Sequence, residues 1–312
     1  MRVSILMAVY NGENYLKAAL DSLLTQTYKD IEIVICNDGS TDSTSVILKQ
    51  YQNLESVKII DAPHHGMVHA FNKAYAASTG DVICFLAHDD VLPPDSLQQR
   101  ISEINQGAAA VYCNGYVCDA ELQIISKIFS KNRSLSWKKD KQKICRNNPI
   151  PGALMMVREE IAEKIFPIPE DLAFEDWWAV LNTLYYAGEI FYIDQPLFLY
   201  RTHAKNDSGW QSETNFNESL KKDWTRHGNY YDVLFNLISN WDLPLHEKKC
   251  LQEVILTNKH VVEKTLKNQF SLPTYTIVKD LGIVKYLYSQ AVILNKGYIV
   301  YKCSNTIKNF FL

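Results

Sequence analysis

Several features that define large protein classes are missing from this 312-residue sequence. Its seven cysteines are scattered and never spaced as C-x-x-C, so we predict reduced thiols rather than a disulfide framework or a zinc ribbon. No stretch approaches the roughly 20 apolar residues that span a bilayer, and the start, MRVSILMAVYNGE, lacks the apolar core and cleavage site of a signal peptide. The net charge of −3 gives no signal for nucleic-acid binding. These absences predict a cytoplasmic protein, or one peripheral to the inner face of the membrane.

The features that are present predict a large α/β domain followed by an appendage. Hydrophobic residues make up 47% of the chain, which is enough for a full core. Apolar runs at 3–10, 31–36, 57–60 and 82–86 alternate with segments of helical periodicity, a pattern typical of parallel βαβ units. Carboxyl ends of parallel strands meet at one edge of a sheet. The pattern therefore predicts a Rossmann-like, mostly parallel sheet flanked by helices, with polar residues gathered at that edge.

The fourth apolar run ends abruptly in a cluster of polar side chains, FLAHDD. His88, Asp89 and Asp90 follow a strand that is predicted to be buried on both faces. Carboxylates beside a histidine suit Mg²⁺ or Mn²⁺, the cations that accompany diphosphates. The alternative is that both aspartates only start a loop and cap the helix that follows, since aspartate is also a preferred capping residue.

Beyond residue 105 the periodicity changes. We predict strands over 108–113, 122–129 and 149–157, a lysine-rich loop over the site at 127–143, and a helix over 159–165. The segment Phe174-Glu175-Asp176-Trp177-Trp178 predicts the start of a helix that ends at Gly188. Two short strands at 190–193 and 197–200 close the domain, and the tail from about 205 is mostly helical by its period.

Five motifs occur in order along the chain: VSILMAVYNGENYL, IVICNDGSTDST, FLAHDD, FEDWW and YRTHAKNDS. Together they resemble the inverting, family 2 nucleotide-sugar glycosyltransferases of the GT-A type. The resemblance implies a GT-A catalytic domain over 1–205, with a nucleotide-binding half at 1–105 and an acceptor-binding half at 106–205. Residues 206–312 form a mainly helical C-terminal region that carries no family motif.

The same resemblance implies the reaction and its partners. A sugar would pass with inversion from a nucleoside diphosphate donor, of the UDP or dTDP type, to a saccharide or lipid-linked acceptor in cell-surface polysaccharide synthesis. A divalent cation, Mn²⁺ or Mg²⁺, would serve as cofactor. Nucleic acid is not an expected partner.

For the nucleotide, the resemblance implies roles for residues at the ends of the first, second and fourth strands. Ala8, Tyr10 and Asp38 would hold the nucleoside, and His88 and Asp89 would contact the nucleotide further along. The Asp38 carboxylate can accept a hydrogen bond from a pyrimidine ring N–H, although aspartate also dominates turns for local reasons. Glu13 would reach the ribose, or would only favour the dipole of the helix that it precedes.

The metal motif departs from the family's Asp-x-Asp pattern. In the register of FLAHDD, Ala87 stands where the first acid would be and Asp89 is the retained second acid. Asp90 would assist through water or contact the sugar. His203 matches a position that turns toward the metal or pyrophosphate in similar enzymes, its alternative being a surface or core histidine. Weaker candidates for contacts to the phosphates are Arg201, Lys205 and Asn206.

The acid pair in FEDWW resembles the family's general-base motif. Asp176 would take the proton of the acceptor hydroxyl, and Glu175 would bind acceptor hydroxyls. Trp177 or Trp178 would form the floor of the acceptor site, because sugars present apolar faces to aromatic rings; alternatively both pack in the core behind a capped helix. Gly152 and Ala153 resemble the segment that lines the sugar pocket.

Other interpretations remain open at this stage. Aromatic residues and lysines in the tail predict contact with an anionic membrane, packing against the catalytic domain, or a homodimer interface. The missing acid at Ala87 keeps open a non-catalytic, nucleotide-sugar-binding or scaffold protein derived from such an enzyme. A sugar nucleotidyltransferase would need a Gly-rich phosphate loop after the first strand, which MAVYNGENYL does not supply.

Overall fold

The computed structural model describes residues 1–129, 132–146, 148–170, 172, 174–203 and 216–267, with the side chains of 216–227, 261 and 264–267 left undescribed. The chain forms two compact units. The first comprises residues 1–144 and 148–201, and the second comprises residues 145–147 and the chain from Thr202 onward.

The first unit is built on one mixed sheet. Its strands are β1 (Val3–Val9), β2 (Ile31–Asp38), β3 (Val57–Ala62), β4 (Val82–Phe85), β5 (Ala110–Cys118), β6 (Ile124–Lys127), β7 (Leu135–Ser136), β8 (Met155–Arg158) and β9 (Glu189–Arg201). Their order across the sheet is β3-β2-β1-β4-β8-β5-β9-β7, with β6 paired to β5.

The first four strands are parallel and carry the core. Val3 of β1 pairs with both Ile31 of β2 and Val82 of β4, so the three strands start level and end at the same edge. All seven residues of β1 and all four of β4 are buried, as expected for strands covered by helices on both faces. Strand β8 runs antiparallel to β4 and therefore begins at the edge where β4 ends.

In the described part of the first unit, seven α-helices connect the strands. They are α1 (Leu16–Leu24), α2 (Thr44–Lys49), α3 (Met67–Ala77), α4 (Ser96–Asn105), α5 (Trp137–Ile144), α6 (Glu159–Ile165) and α7 (Glu175–Ala187). Helix α7 begins with two acids, which the positive end of its dipole favours. It ends at Gly188, whose φ of 76° lies in the left-handed region that glycine adopts without strain.

The prediction of a mostly parallel α/β sheet flanked by helices is confirmed, and two local predictions are wrong. The lysine-rich segment 127–143 is not one loop, because it contains β7 and most of α5. The two short closing strands are a single strand, β9, whose pairing with β5 shifts register near Asn114. Polar residues therefore lie in the middle of β9 at this shift. In the sequence, these polar residues suggested a break between two strands.

The second unit contains two helices in its described part, α8 (Phe216–Asn240) and α9 (Leu245–Lys267), in agreement with the predicted helical tail. Tyr230, Tyr231 and Trp241 are 1%, 0% and 4% exposed, so these aromatic residues are unavailable to a lipid surface. The side chain of Trp224, another tail aromatic predicted to contact membrane, is not described, and those from Tyr286 onward lie outside the described residues. Among the helices that are described, none is long and apolar enough to cross a bilayer.

Candidate functional site

The ends of β1 and β4 meet in close contact. A Cβ atom placed on Gly12, in the turn after β1, would lie 2.8 Å from Cδ2 of His88, which follows β4. The imidazole therefore packs directly on the backbone of the β1–α1 turn, and a side chain at position 12 would displace it. This contact joins the predicted nucleotide residues of the first and fourth strands.

Asp38, the last residue of β2, holds the loop that precedes α3. The carboxylate is 2% exposed, and its Oδ1 accepts a hydrogen bond from the amide of His65 at 2.9 Å. Its Oδ2 accepts the amide of Gly66 at 2.9 Å and lies 2.8 Å from Nδ1 of His64. Because a carboxylate offers about four acceptor positions, three are committed to this loop and one remains. The predicted base contact at Asp38 is therefore restricted to that position.

An aromatic pair stands beside Asp38. The rings of Tyr10 and His64 stack with centroids 4.1 Å apart and planes 21° apart, and Tyr10 is 43% exposed. A flat, partly exposed aromatic surface next to a buried carboxylate suits a heterocyclic base. The sequence predicted Tyr10 as a nucleoside contact but did not predict His64. His64 lies beside the end of β2 because its loop is hydrogen-bonded to Asp38.

Two of the predicted nucleoside residues have more limited roles. Ala8 is 8% exposed within β1, where it pairs with Cys36, so only its backbone is near the edge. Glu13 accepts a hydrogen bond from the amide of Ser43 at 3.0 Å, which places its carboxylate at the start of α2. This contact matches the dipole-favouring alternative for Glu13, with α2 rather than α1 as the helix concerned.

The turn after β4 is held by the end of β9. Oδ1 of Asp90 accepts the amide of Arg201 at 2.9 Å, while Nε of Arg201 donates to the carbonyl of Asp89 at 2.8 Å. Asp90 is only 2% exposed, and burial together with the charge of Asp89 raises the pKa of its carboxyl well above the ordinary value. One oxygen of Asp90 is thereby directed to β9, and its contact with the sugar or assistance to the metal stays a prediction.

Arg201 is likewise committed to the protein. Its side chain donates to the carbonyl of Ala120 at 2.7 Å and lies 4.7 Å from the ring centroid of Tyr15, and the residue is 5% exposed. The predicted phosphate contact at Arg201 is therefore replaced by a structural role. Lys205 and Asn206, the other two predicted phosphate contacts, lie outside the described residues.

Asp176 occupies the first turn of α7 and is enclosed by backbone donors. Its Oδ1 accepts the amide of Trp177 at 2.7 Å, and the amide of Gly152 and the side chain of Asn148 also donate to the carboxyl. Burial nevertheless raises the pKa of Asp176 above its ordinary value of 3.8. A carboxyl with a raised pKa at a partly open position is suited to accept a proton.

Gly152 connects Asp176 to the edge of the sheet. A Cβ on Gly152 would lie 2.8 Å from Cβ of Asp176, so the two residues touch. Gly152 and Ala153 immediately precede β8, and Met156 of β8 pairs antiparallel with Cys84 of β4. The residues before β8 therefore lie beyond the carboxyl end of β4, and Asp176 stands at the same edge of the sheet as Asp38 and Asp89.

The two tryptophans differ in their surroundings. Trp177 is 2% exposed and its indole donates to the carbonyl of Ile144 at 2.6 Å, so it belongs to the core. The predicted role of Trp177 as a floor for the acceptor is wrong, because no face of its ring is open. Trp178 is partly exposed and its indole donates to the carbonyl of Ile165 at 2.9 Å. Glu175, beside them, is also partly exposed.

A divalent cation would find few protein ligands at this edge. Within the residues that the structure describes, no three His, Cys, Asp or Glu side chains cluster so as to hold a metal ion. Asp89 and His88 are the donors at the end of β4, and His203 lies at the start of the second unit. Mg²⁺ is commonly bound by one or two carboxylates together with substrate phosphates. Asp89 fits that kind of site, with the remaining ligands supplied by the diphosphate and water.

The fold defines the class of protein. The chain matches S. aureus TarS 1–349 in complex with UDP-GlcNAc, with a TM-score of 0.64 and 18% identity, covering 90% of this chain and 80% of the TarS 1–349 chain. It also matches the mannosyltransferase PcManGT from Pyrobaculum calidifontis in complex with GDP-Man and Mn²⁺, with a TM-score of 0.54 and 16% identity over 96% and 87% of the two chains. These likenesses define a GT-A type fold.

Sequence comparison identifies the family. The profile described as "Glycosyl transferase family 2" matches residues 4–166, which is more than half of the chain. An uncharacterised glycosyltransferase from Nostoc sp. is 32% identical over 216 residues, which is 66% of this chain and 66% of the relative. The chain belongs to glycosyl transferase family 2. The match spans slightly under two thirds of that relative's length.

Gly39 offers a test of the loop that Asp38 holds. Its φ is +67°, and a Cβ there would lie 2.7 Å from the backbone nitrogen of His64. We expect Gly39→Ala to lower the free energy of unfolding by about 2–4 kcal/mol, as strain and a backbone clash add. Gly188→Ala is the matched control, because Gly188 has a similar positive φ of +76° but faces open space. Urea unfolding of both variants measures the clash separately from the strain.

Proposed function

We propose that this protein is an inverting glycosyltransferase that moves a sugar from a nucleoside diphosphate donor to a saccharide or lipid-linked acceptor in cell-surface polysaccharide synthesis. The observation that carries the proposal is the placement of Asp38, Asp89 and Asp176 at one edge of the sheet. A donor and an acceptor need to meet there, and open α/β sheets bind ligands at this edge. The family membership supports the same reaction class.

The donor would lie across the ends of β1, β2 and β4. The base stacks on Tyr10 beside His64, and the remaining acceptor position of Asp38 receives the ring N–H of a uracil or thymine. TarS has been crystallised with UDP-GlcNAc, which supports a UDP-type donor for a chain of the same fold. The diphosphate then extends toward His88 and Asp89, with Gly152 and Ala153 beside the sugar.

Asp176 would act as the general base. The acceptor oxygen attacks the anomeric carbon from the face opposite the diphosphate, and its proton passes to the Asp176 carboxylate as the carbon–oxygen bond to the leaving group breaks. The amides of Trp177 and Gly152 hold the carboxylate in place for this transfer. Glu175 would bind a second hydroxyl of the acceptor.

Asp89 would hold a Mn²⁺ or Mg²⁺ ion together with the donor's phosphates. When bound, such an ion neutralises negative charge on the departing nucleoside diphosphate. A neighbour of the same fold, PcManGT, has been solved with GDP-Man and Mn²⁺, which supports this assignment.

The metal assignment has a matched pair of variants. We expect Asp89→Asn to lower metal-dependent release of nucleoside diphosphate by at least about 100-fold, because the carboxylate is the protein's main ligand for the cation. Asp90→Asn is expected to stay within about 5-fold of the native rate, since an amide oxygen still accepts the Arg201 amide. A donor panel assayed across a Mn²⁺ titration gives both values. Equal losses in the two variants would contradict the assignment.

A non-catalytic nucleotide-sugar-binding protein is the alternative, and the alanine at position 87 favours it, since one acid of the metal motif is missing. Both hypotheses predict donor binding, seen as a rise in melting temperature with UDP-sugar and Mn²⁺. Only the enzyme releases nucleoside diphosphate in proportion to acceptor. If the protein binds the donor but releases no nucleoside diphosphate with any acceptor tested, the non-catalytic alternative would be favoured.

A further inference from the structure

Helix α5 presents a basic face to solvent. Asp140 and Ile144, one turn apart, point inward and are 2% and 0% exposed. Lys138, Lys139 and Lys143 lie on the exposed part of the helix. Eight residues therefore carry three exposed lysines over a length of about 12 Å.

The acid of this helix is held mainly by Arg133, although the charge of Lys143 also acts on it. Both oxygens of Asp140 are bound by the guanidinium of Arg133, at 2.9 and 2.6 Å, and the amide of Ser136 donates to it at 3.0 Å. These contacts and the buried position turn the carboxylate away from solvent. The lysines keep their charge toward the outside, with Glu189 opposite Ser136 as the acid at the near end of the helix.

Aromatic side chains border the basic face. The rings of Trp137 and Tyr185 meet edge to face at 5.2 Å, and Tyr185 contacts Tyr186 at 4.7 Å. Tyr186 is 44% exposed, and Nζ of Lys141 lies 5.8 Å from the centre of the Trp137 ring. Partly exposed tryptophan and tyrosine residues beside lysines are typical of protein surfaces that bind at the level of the lipid headgroups.

The orientation of α5 relates this surface to the candidate site. The start of α5 contacts the end of α7 through Trp137 and Tyr185, and its end contacts the start of α7 through Ile144 and Trp177. The two helices are therefore antiparallel. The basic face runs along α7 toward the turn that carries Asp176, the residue that faces the acceptor in the proposed reaction.

We propose that α5, with Trp137 and Tyr186 at its edge, docks this protein on an anionic bilayer surface. Lysines attract anionic headgroups, while the aromatic rings enter the interface, a contact that a soluble polyanion does not offer. Docking along α5 would hold the whole of α7, including the turn that carries Asp176, about one helix spacing from the membrane. It deepens the proposed function by selecting the lipid-linked class of acceptor, and it requires no catalysis.

Vesicle sedimentation of the full chain tests the proposal. The native protein is expected to bind phosphatidylcholine vesicles that contain phosphatidylglycerol, and to bind pure phosphatidylcholine weakly. Lys138→Gln/Lys139→Gln/Lys143→Gln is expected to weaken binding by about 100-fold, since each lysine contributes about fivefold. Glu189→Gln is expected to strengthen binding severalfold, because it removes an acid near the face.

A matched control has the same change in charge at exposed lysines of other elements, Lys29→Gln/Lys49→Gln/Lys164→Gln. We expect this variant to bind vesicles within about threefold of the native protein, and melting temperatures verify that all variants are folded.

Equal binding by the native protein and the α5 variant, or equal loss in the control, overturns the proposal. Loss of heparin retention in the α5 variant, without native vesicle binding, also overturns it and assigns the face to a soluble polyanion. Asp176→Asn is expected to bind vesicles normally, which separates failure of docking from failure of the proposed reaction.

Discussion

Asparagine in place of Asp176 is expected to lower the turnover of sugar transfer by about 10²–10⁴-fold, the usual contribution of a general base. The amide oxygen can still accept the amide of Trp177, so the geometry of the first turn of α7 is kept. An amide cannot take the acceptor proton. Donor binding is expected to remain, because Tyr10 directly follows β1 and Asp38 ends β2, whereas Asp176 belongs to α7. Release of nucleoside diphosphate and thermal shift with donor measure the two effects.

The pH dependence of turnover provides a second readout of Asp176. A general base works when it is deprotonated, and burial raises the pKa of this carboxyl above 3.8. Turnover is therefore expected to fall as the pH drops through this raised pKa, with the acidic limb of the profile above 3.8. Glu175→Gln is the control, expected to raise the KM for acceptor while leaving that limb in place. An acidic limb that survives unchanged in Asp176→Asn would contradict the assignment.

Truncation of Trp177 to alanine is expected to lower the free energy of unfolding by about 3–5 kcal/mol, the range for large aromatic residues in a core. The side chain is 2% exposed, and its removal also leaves the carbonyl of Ile144 without its indole donor. Urea unfolding followed by far-UV circular dichroism measures the loss.

The neighbouring tryptophan supplies the control. Trp178→Ala is expected to cost less than half as much, because part of this ring is exposed and its truncation leaves a smaller cavity. If Trp177 were instead the floor of an acceptor site, Trp177→Ala would raise the KM for acceptor and leave stability near the native value. That result would assign Trp177 to the acceptor site rather than to the core.

Strand positions were predictable because burial leaves a strong pattern. The apolar runs at 31–36 and 82–86 follow from a parallel sheet covered on both faces, and they match β2 and β4 to within two residues. Helix α7 was predictable from its two N-terminal acids and from Gly188 at its end. The loop at 127–143 was predicted wrongly because α5 buries only two of its eight residues, too few for a clear period.

Candidate site residues were predictable by type and position, while their partners were not. Asp90 and Asp89 are adjacent in sequence and equally acidic, yet Asp90 is turned toward Arg201, 111 residues away. Trp177 and Trp178 are identical in chemistry, and helical geometry sends the first into the core. His64 gave no sequence signal, because its place beside Tyr10 depends on the hydrogen bonds between its loop and the carboxylate of Asp38, 26 residues earlier in the chain.

The sequence by itself determined the α/β class, the order of the elements and the acidic residues at the strand ends, because hydrophobic period and turn chemistry are local properties of a chain. The tertiary structure alone decided which of those acids remain available at the edge of the sheet. That choice depends on packing between distant segments, as when β9 engages Asp90, the loop after β3 engages Asp38, and Gly152 lets Asp176 approach the end of β4. Contacts of this kind are set by three-dimensional proximity, which no local pattern encodes.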